Sequence, residues 1–217
     1  MIITWFGQSC FKLEGQNCVL VTDPFDKTLG LKLPRLATDV VTISHQHYDH
    51  NNLEGVKGLN TDQPFIIDQP GEYEVKNIFI YGINSYHDAN EGKDQGKNII
   101  YRIEIDGISL AHLGDLGHTL TDEQVEKLEG VDILMIPVGG VYTINAKKAT
   151  EIISQVEPRL VIPMHYDLPE LKVKNKLDNV NSFCKEIGVC PKEKINKLKI
   201  TKKDLPNDNM QVVIMQP

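Results

Sequence analysis

The sequence predicts an α/β protein with two sheets inside and helices outside, folded as one domain over residues 1–217. Three observations lead there. Short apolar, β-branched runs recur from end to end, each closed by Gly, Pro, Asn or Asp. The first half of the chain holds mostly such runs, whereas the second alternates them with helical patterns. No Pro-, Gly- or Ser-rich linker separates the halves.

Residues 2–6, 10–13 and 18–22 read as strands, with Gly15-Gln16-Asn17 turning the second into the third and Asp23-Pro24 ending the third. Residues 29–36 read as irregular. Residues 40–44 form a buried-type strand that runs directly into Ser44-His45-Gln46-His47-Tyr48-Asp49-His50. The histidine segment is therefore placed in a loop at a strand's C-terminal edge, where layered α/β proteins usually put their sites. A short helix is expected next, starting near Asn51 or Asn52 and stopping near Gly58. Strands follow at 65–67, 78–81 and 99–105, and Asp106-Gly107 is a hairpin turn into 108–111. Thr121-Asp122-Glu123-Gln124 is a capping box that opens a helix to about residue 129. Residues 133–136 are a fully apolar strand. Asn145 caps a second helix through Val156, stopped by Pro158, and 160–164 is again strand-like. A third helix is expected over 176–187 with Gly188 as its stop, and a terminal strand over 210–214.

With 41% hydrophobic and 24% charged residues the composition is that of an ordinary globular protein. A formal charge of −7 disfavours a polyanionic partner, because affinity for a phosphate backbone comes mainly from Lys and Arg. It leaves room for a small phosphorylated substrate held by a few cations. The lysine-rich run at 192–203 reads as a solvated face around a strand. The first residues lack the basic region and apolar core of a signal peptide, and no apolar run reaches the roughly 18 residues of a membrane span. The expected location is the cytoplasm. Cys10, Cys18, Cys184 and Cys190 show no CxxC spacing and are expected as reduced thiols, with Cys184 and Cys190 as the one pair suited to a redox role.

Chemistry concentrates at 45–50, where three of the seven histidines and one aspartate fall together. Each neutral imidazole offers a lone pair to a borderline metal, and the carboxylate adds charge. His87, Asp115 and His165 each stand just beyond a further apolar run, flanked by turn formers. Alone, each is more often a hydrogen-bonded core or loop group. Repetition at successive strand ends turns the balance toward metal ligation.

These residues resemble the signature of the metallo-β-lactamase-fold hydrolases: His45-x-His47-x-Asp49-His50, then His87, then Gly114-Asp115, then His165. Pro70-Gly71-Glu72-Tyr73-Glu74-Val75, His112-Leu113-Gly114-Asp115-Leu116-Gly117-His118 and Ile162-Pro163-Met164-His165-Tyr166 are similar to the compact Zn-dependent branch that includes the L-ascorbate-6-phosphate lactonases. The resemblance implies an αββα four-layer sandwich with two divalent metal ions in the cleft between the sheets. One would be bound by His45, His47 and His87. The other would be bound by Asp49, His50 and His165, with Asp115 bridging both. Asp23 would brace the histidine loop from behind, the alternative being a plain Asp-Pro turn. Zinc suits the N and O donors best; Mn or Fe also fits a set without cysteine.

The implied function is a metal-dependent hydrolase that uses a metal-activated hydroxide on a small ester, lactone or phosphoester. Asp49 and Asp115 would supply charge and orientation. His118 and Tyr166 adjoin proposed ligands and are candidates for protonating the leaving group, the alternative for each being a supporting or merely exposed residue. The partner is a small molecule; Lys93 or Lys97 in the polar 90–98 loop, a candidate mobile segment at the mouth, could meet an anionic one, although an ordinary surface loop is the commoner reading. Residues 138–142 could line the cleft with backbone amides. A nuclease or phosphodiesterase on the same fold is the main alternative, although nucleic acid and membrane are disfavoured as partners. A non-enzymatic metal-binding protein is another. A di-iron oxidoreductase fits less well, since His47 stands where such relatives resemble His-x-Glu. Self-association into a homo-oligomer is left open.

Overall fold

The computed structural model describes residues 1–191 and 193–217. In chain order the strands are β1 (Ile2–Gly7), β2 (Cys10–Glu14), β3 (Val19–Thr22), β4 (Leu36–Thr38), β5 (Val40–Thr42), β6 (Val56–Gly58), β7 (Phe65–Ile67) and β8 (Gly71–Val75). They continue as β9 (Ile78–Tyr86), β10 (Lys97–Ile105), β11 (Ile108–His112), β12 (Ile133–Pro137), β13 (Leu160–Met164), β14 (Lys197–Lys199) and β15 (Gln211–Val212). The helices are α1 (Asp122–Lys127), α2 (Ala146–Val156) and α3 (Val180–Ile187).

Two sheets form the body. One runs β14-β1-β2-β3-β5-β7 and the other β15-β13-β12-β11-β10-β9-β8, while β4 and β6 make a separate parallel pair. Strand burial follows from this layering. Alternate residues of β1 point inward, burying Ile3 and Trp5. Every residue of β12 and β13 is buried, as expected for parallel strands covered on both faces. One apolar core fills the space between the sheets. Tyr101 on β10 ties them together, its hydroxyl donating to Ile43 O at 2.8 Å and Ile67 O at 2.9 Å. The architecture is the predicted sandwich, with few helices.

The helices form where their caps predict them. Thr121 and Gln124 make the reciprocal capping box of α1. Asn145 accepts from Lys148 N at the start of α2, whose buried Ala149, Ile152, Ile153 and Val156 share one stripe. That stripe faces α3 and β12. Helix α3 starts four residues later than expected, because Asn179 supplies its cap and Val180, rather than Lys176, is its first residue. Gly188 ends it in the left-handed conformation.

Two expectations are corrected. No α-helix follows His50: a 3-10 turn at Leu53–Gly55 leads into β6. Asn52 does not cap a helix there. Its backbone N–H donates to Pro24 O and its side chain to Phe25 O, tying the histidine loop to the segment after β3. Cys184 and Cys190 are disulfide-bonded rather than reduced, with Cα atoms 5.3 Å apart, because the chain reverses at Gly188. Cys10 and Cys18 are free and buried. The lysine-rich run does surround a strand, β14, whose Lys197 and Lys199 are exposed; Lys192 lies outside the described residues.

Candidate metal centre

The histidine loop begins where β3 and β5 run side by side. Asp23 follows β3 in a left-handed conformation (φ 38°) that turns its carboxylate under the loop. That carboxylate accepts from Ser44 N at 2.7 Å, from Ser44 Oγ at 2.6 Å and from His50 Nδ1 at 3.0 Å. Since Ser44 Oγ gives its proton to Asp23, it accepts from His45 Nδ1 at 3.0 Å. Both imidazoles are thereby fixed with Nε2 turned inward. His45 Nε2 is buried and has no hydrogen-bond partner among the described residues, while the buried His50 Nε2 faces Asp115.

The remaining donors arrive one per strand end. His87 follows β9, Asp115 follows β11 and His165 follows β13. Gly114 must be glycine: its φ is +55°, and an added Cβ would stand 2.6 Å from Ser44 Cβ. Asp115 N donates to Asn98 Oδ1 at 3.0 Å, and Ser9 Oγ donates to Asp115 Oδ1 at 3.3 Å. The other carboxylate oxygen, Oδ2, lies 3.2 Å from His50 Nε2, 3.2 Å from His165 Nε2 and 3.4 Å from His87 Nε2.

Two groups result, His45 with His47 and His87, and Asp49 with His50, Asp115 and His165. Within each, the donor atoms lie within 4.8 Å of one another. The donor set fits divalent cations: five imidazoles, two carboxylates, and a buried His45 Nε2 that no group among the described residues satisfies.

Charge is divided unevenly. Burial, reinforced by the neighbouring imidazoles, pushes His45 down to about 2, so it stays neutral. His47 is lowered by burial and His87. Burial would lower His50, but Asp115 and Asp49 outweigh it and hold it well above the ordinary histidine range. Burial would raise Asp115, yet His165 and His50 keep it well below the carboxylate range. Asp49 is likewise held low against its burial, chiefly by His50.

The comparisons with known proteins point to one family. Residues 2–165 match the Beta-lactamase superfamily domain. A candidate Zn-dependent hydrolase of the metallo-beta-lactamase superfamily from Thermotoga maritima, solved as a crystal structure, is 40% identical, with a TM-score of 0.78 over 99% of this chain and 97% of that one. The chain belongs to the metallo-beta-lactamase superfamily. More distant superfamily relatives are similar too. A UPF0173 metal-dependent hydrolase of Thermoplasma volcanium is 27% identical over 76% of this chain and 83% of its own. One of Salinibacter ruber is 28% identical over 77% and 85%.

In this superfamily member a cleft of about 500 Å³ opens onto the donors, lined also by Gln8, Gln46, Tyr48, Gln95, Tyr142 and Lys174. The sequence singled out two proton-donor candidates, and the structure turns both away. His118 donates from Nδ1 to Thr119 O at 2.6 Å, and its Nε2 accepts from Tyr86 N at 3.1 Å, so both ring nitrogens are engaged. Tyr166 is buried against Trp5, with ring centroids 5.1 Å apart, and its hydroxyl donates to Met215 O. In residues 138–142, the Val138, Gly140 and Tyr142 N–H groups are engaged by Met164 O, Ile144 O and Gly140 O. Of these five, Tyr142 lines the cleft.

The polar loop at the mouth is stitched together rather than loose. Asp88 accepts from the backbone N–H groups of Asn90, Gly92, Asp94 and Gln95 at 2.7–3.0 Å. Desolvation raises the Asp88 carboxyl, but these four bonds outweigh it and hold it at about 2. Lys97 lines an adjoining cavity of about 400 Å³ together with His45 and His47. Gln8, Ser9, Ser44 and Asn98 were not marked by the sequence. The polar Gln8-Ser9 pair between two apolar strands was the available signal.

Proposed function

We propose that this protein is a metal-dependent hydrolase with a dinuclear centre, acting on a small ester, lactone or phosphoester. One observation carries the reading: Asp115 Oδ2 stands 3.2–3.4 Å from imidazole nitrogens of both donor groups, so one carboxylate lies within reach of both. His45, His47 and His87 would hold one cation, and Asp49, His50 and His165 the other. When bound, the pair supplies a nucleophile at neutral pH and positive charge opposite the developing oxyanion.

The chain's own part is positioning. Asp23 orients His50 directly and His45 through Ser44, so one second-row carboxylate aligns ligands of both groups. Ser9 and Asn98 hold Asp115 from either side. The cleft walls supply amide and phenol groups, with Lys174 as a cation for an anionic substrate. The size of the cleft and the net charge of −7 both favour a small substrate over a nucleic acid.

The test is metal analysis of the purified protein, followed by a panel of lactones, esters, thioesters and phosphodiesters after chelation and reconstitution with Zn, Mn or Fe. The expected outcome is two metal ions per chain and metal-restored turnover on one class. A protein that binds no metal, or that turns over equally well after chelation, sinks the reading.

A further inference from the structure

Gln8 sits in the turn between β1 and β2, and its side chain is fully buried. Its backbone is left-handed (φ 47°), a conformation uncommon for a residue other than glycine and concentrated at functional sites. Two tertiary bonds hold it there, since its carbonyl oxygen accepts from Trp5 Nε1 at 2.9 Å and from His165 N at 3.2 Å. His165 is itself left-handed at φ 51°. Two strand ends, one from each sheet, are thus pinned to each other beside the donors.

The carboxamide is aimed into the centre. Its Nε2 lies 3.2 Å from His165 Nε2, while Oε1 is buried with no partner among the described residues. The group lines the cleft alongside Asp49, Asp115 and His165. A carboxamide with a structural role uses both ends; this one has an idle end in a buried polar site. If His165 Nε2 gives its lone pair to a cation, it no longer accepts from Gln8. The Nε2 hydrogens are then free, held at a fixed place beside the metal donors.

The centre is rich in acceptors and poor in buried donors. Any carbonyl or phosphoryl oxygen reacting there gains negative charge. We infer that Gln8 is a catalytic residue, whose Nε2 donates a hydrogen bond to the substrate oxygen on which that charge develops. The inference rests on the hydrolase reading above. Its rival is a structural or ligand role for the same amide, and side-chain chemistry separates them. A glutamate at this position could ligate a cation but, once ionised, could not donate.

The experiment uses protein loaded with Co²⁺, with inorganic phosphate as the oxyanion probe. Wild type is compared with Gln8→Leu, Gln8→Glu and Gln8→Asn, the last keeping a side chain that tolerates left-handed backbone but with shorter reach. All three variants should take up as much Co²⁺ as wild type with unchanged visible absorption. Each should bind phosphate about tenfold more weakly, the loss expected for one hydrogen bond to a charged group. On the best panel substrate, kcat should fall roughly 10²-fold with KM within a few-fold. Unchanged phosphate affinity in Gln8→Leu and Gln8→Asn overturns the assignment. So does lost Co²⁺ in Gln8→Leu with retention in Gln8→Glu, which would make Gln8 a ligand. A wild-type protein that takes up no Co²⁺ overturns the hydrolase reading, and the role of Gln8 with it.

Discussion

The two halves of the centre are built differently. His45, His47 and His87 form a group without a carboxylate of its own, and His47 is less buried than its partners. Asp49, His50, Asp115 and His165 form a group with two carboxylates, of which Asp115, His50 and His165 are almost fully buried. The first half offers imidazole lone pairs only, with His45 and His47 held neutral; the second combines imidazoles with negative charge in a desolvated place. A cation should be held more firmly in the second and exchange more readily from the first. Asp115 is the exception, because its Oδ2 faces both.

The largest break in this contrast should come from Asp115→Ala. Both metals should be lost or weakened, and the rate should fall on the order of 10³-fold or more, equivalent to several kcal/mol of transition-state stabilisation. Metal stoichiometry and steady-state kinetics check it; full retention of either metal would contradict the bridging role. Next, His45→Ala and His50→Ala should each leave about one metal per chain by mass spectrometry of the metal content. The ion surviving in His45→Ala should resist chelators longer than the one surviving in His50→Ala. Equal chelator rates would erase the proposed difference between the halves.

Asp23→Ala should weaken both ions by roughly 10- to 100-fold, the usual cost of removing an orienting partner. Calorimetric titration reads this directly, and an effect limited to one ion would break the link through Ser44. A smaller effect concerns pH. Asp115 and Asp49 hold His50 above the ordinary value of 6.5 despite its burial, and Asp115 does the same for His87. In the metal-free fold these raised groups contribute stability that is complete below pH 6.5 and is lost as pH rises through their folded values. A metal must displace those protons. The gain in melting temperature on adding metal should therefore widen from about pH 6 to about pH 8. His45, at about 2, has no proton to release in this window. A constant or narrowing gain would count against the assignment. Smallest of all, Tyr166→Phe should cost about 1 kcal/mol of stability by losing the bond to Met215 O, and leave kcat unchanged. A large fall in kcat would restore Tyr166 as a proton donor.

The strands that present the candidate donors were legible because an apolar β-branched run ended by a turn former leaves the same trace in any context. Residues 40–44, 108–111 and 160–164 all behave this way, and each delivers a donor just past its end. Helix caps at Thr121, Asn145 and Gly188 were legible for a similar reason, since each satisfies backbone groups within one turn. The segment after His50 was not, because Asn52 spends its hydrogen bonds on Pro24 and Phe25, far back in the chain. The β4–β6 pair and the Cys184–Cys190 bridge likewise depend on partners that local pattern does not name.

By itself, the sequence determined which donors exist and that each stands at a strand end, because backbone periodicity and turn chemistry are local. Only the tertiary structure decided how they are arranged. It placed one oxygen of Asp115 among three imidazoles and turned His118 and Tyr166 away. It also brought Gln8 from the first turn to the side of His165. Direction and distance between side chains far apart in the chain are set by how two sheets pack over one core, and no local pattern encodes that.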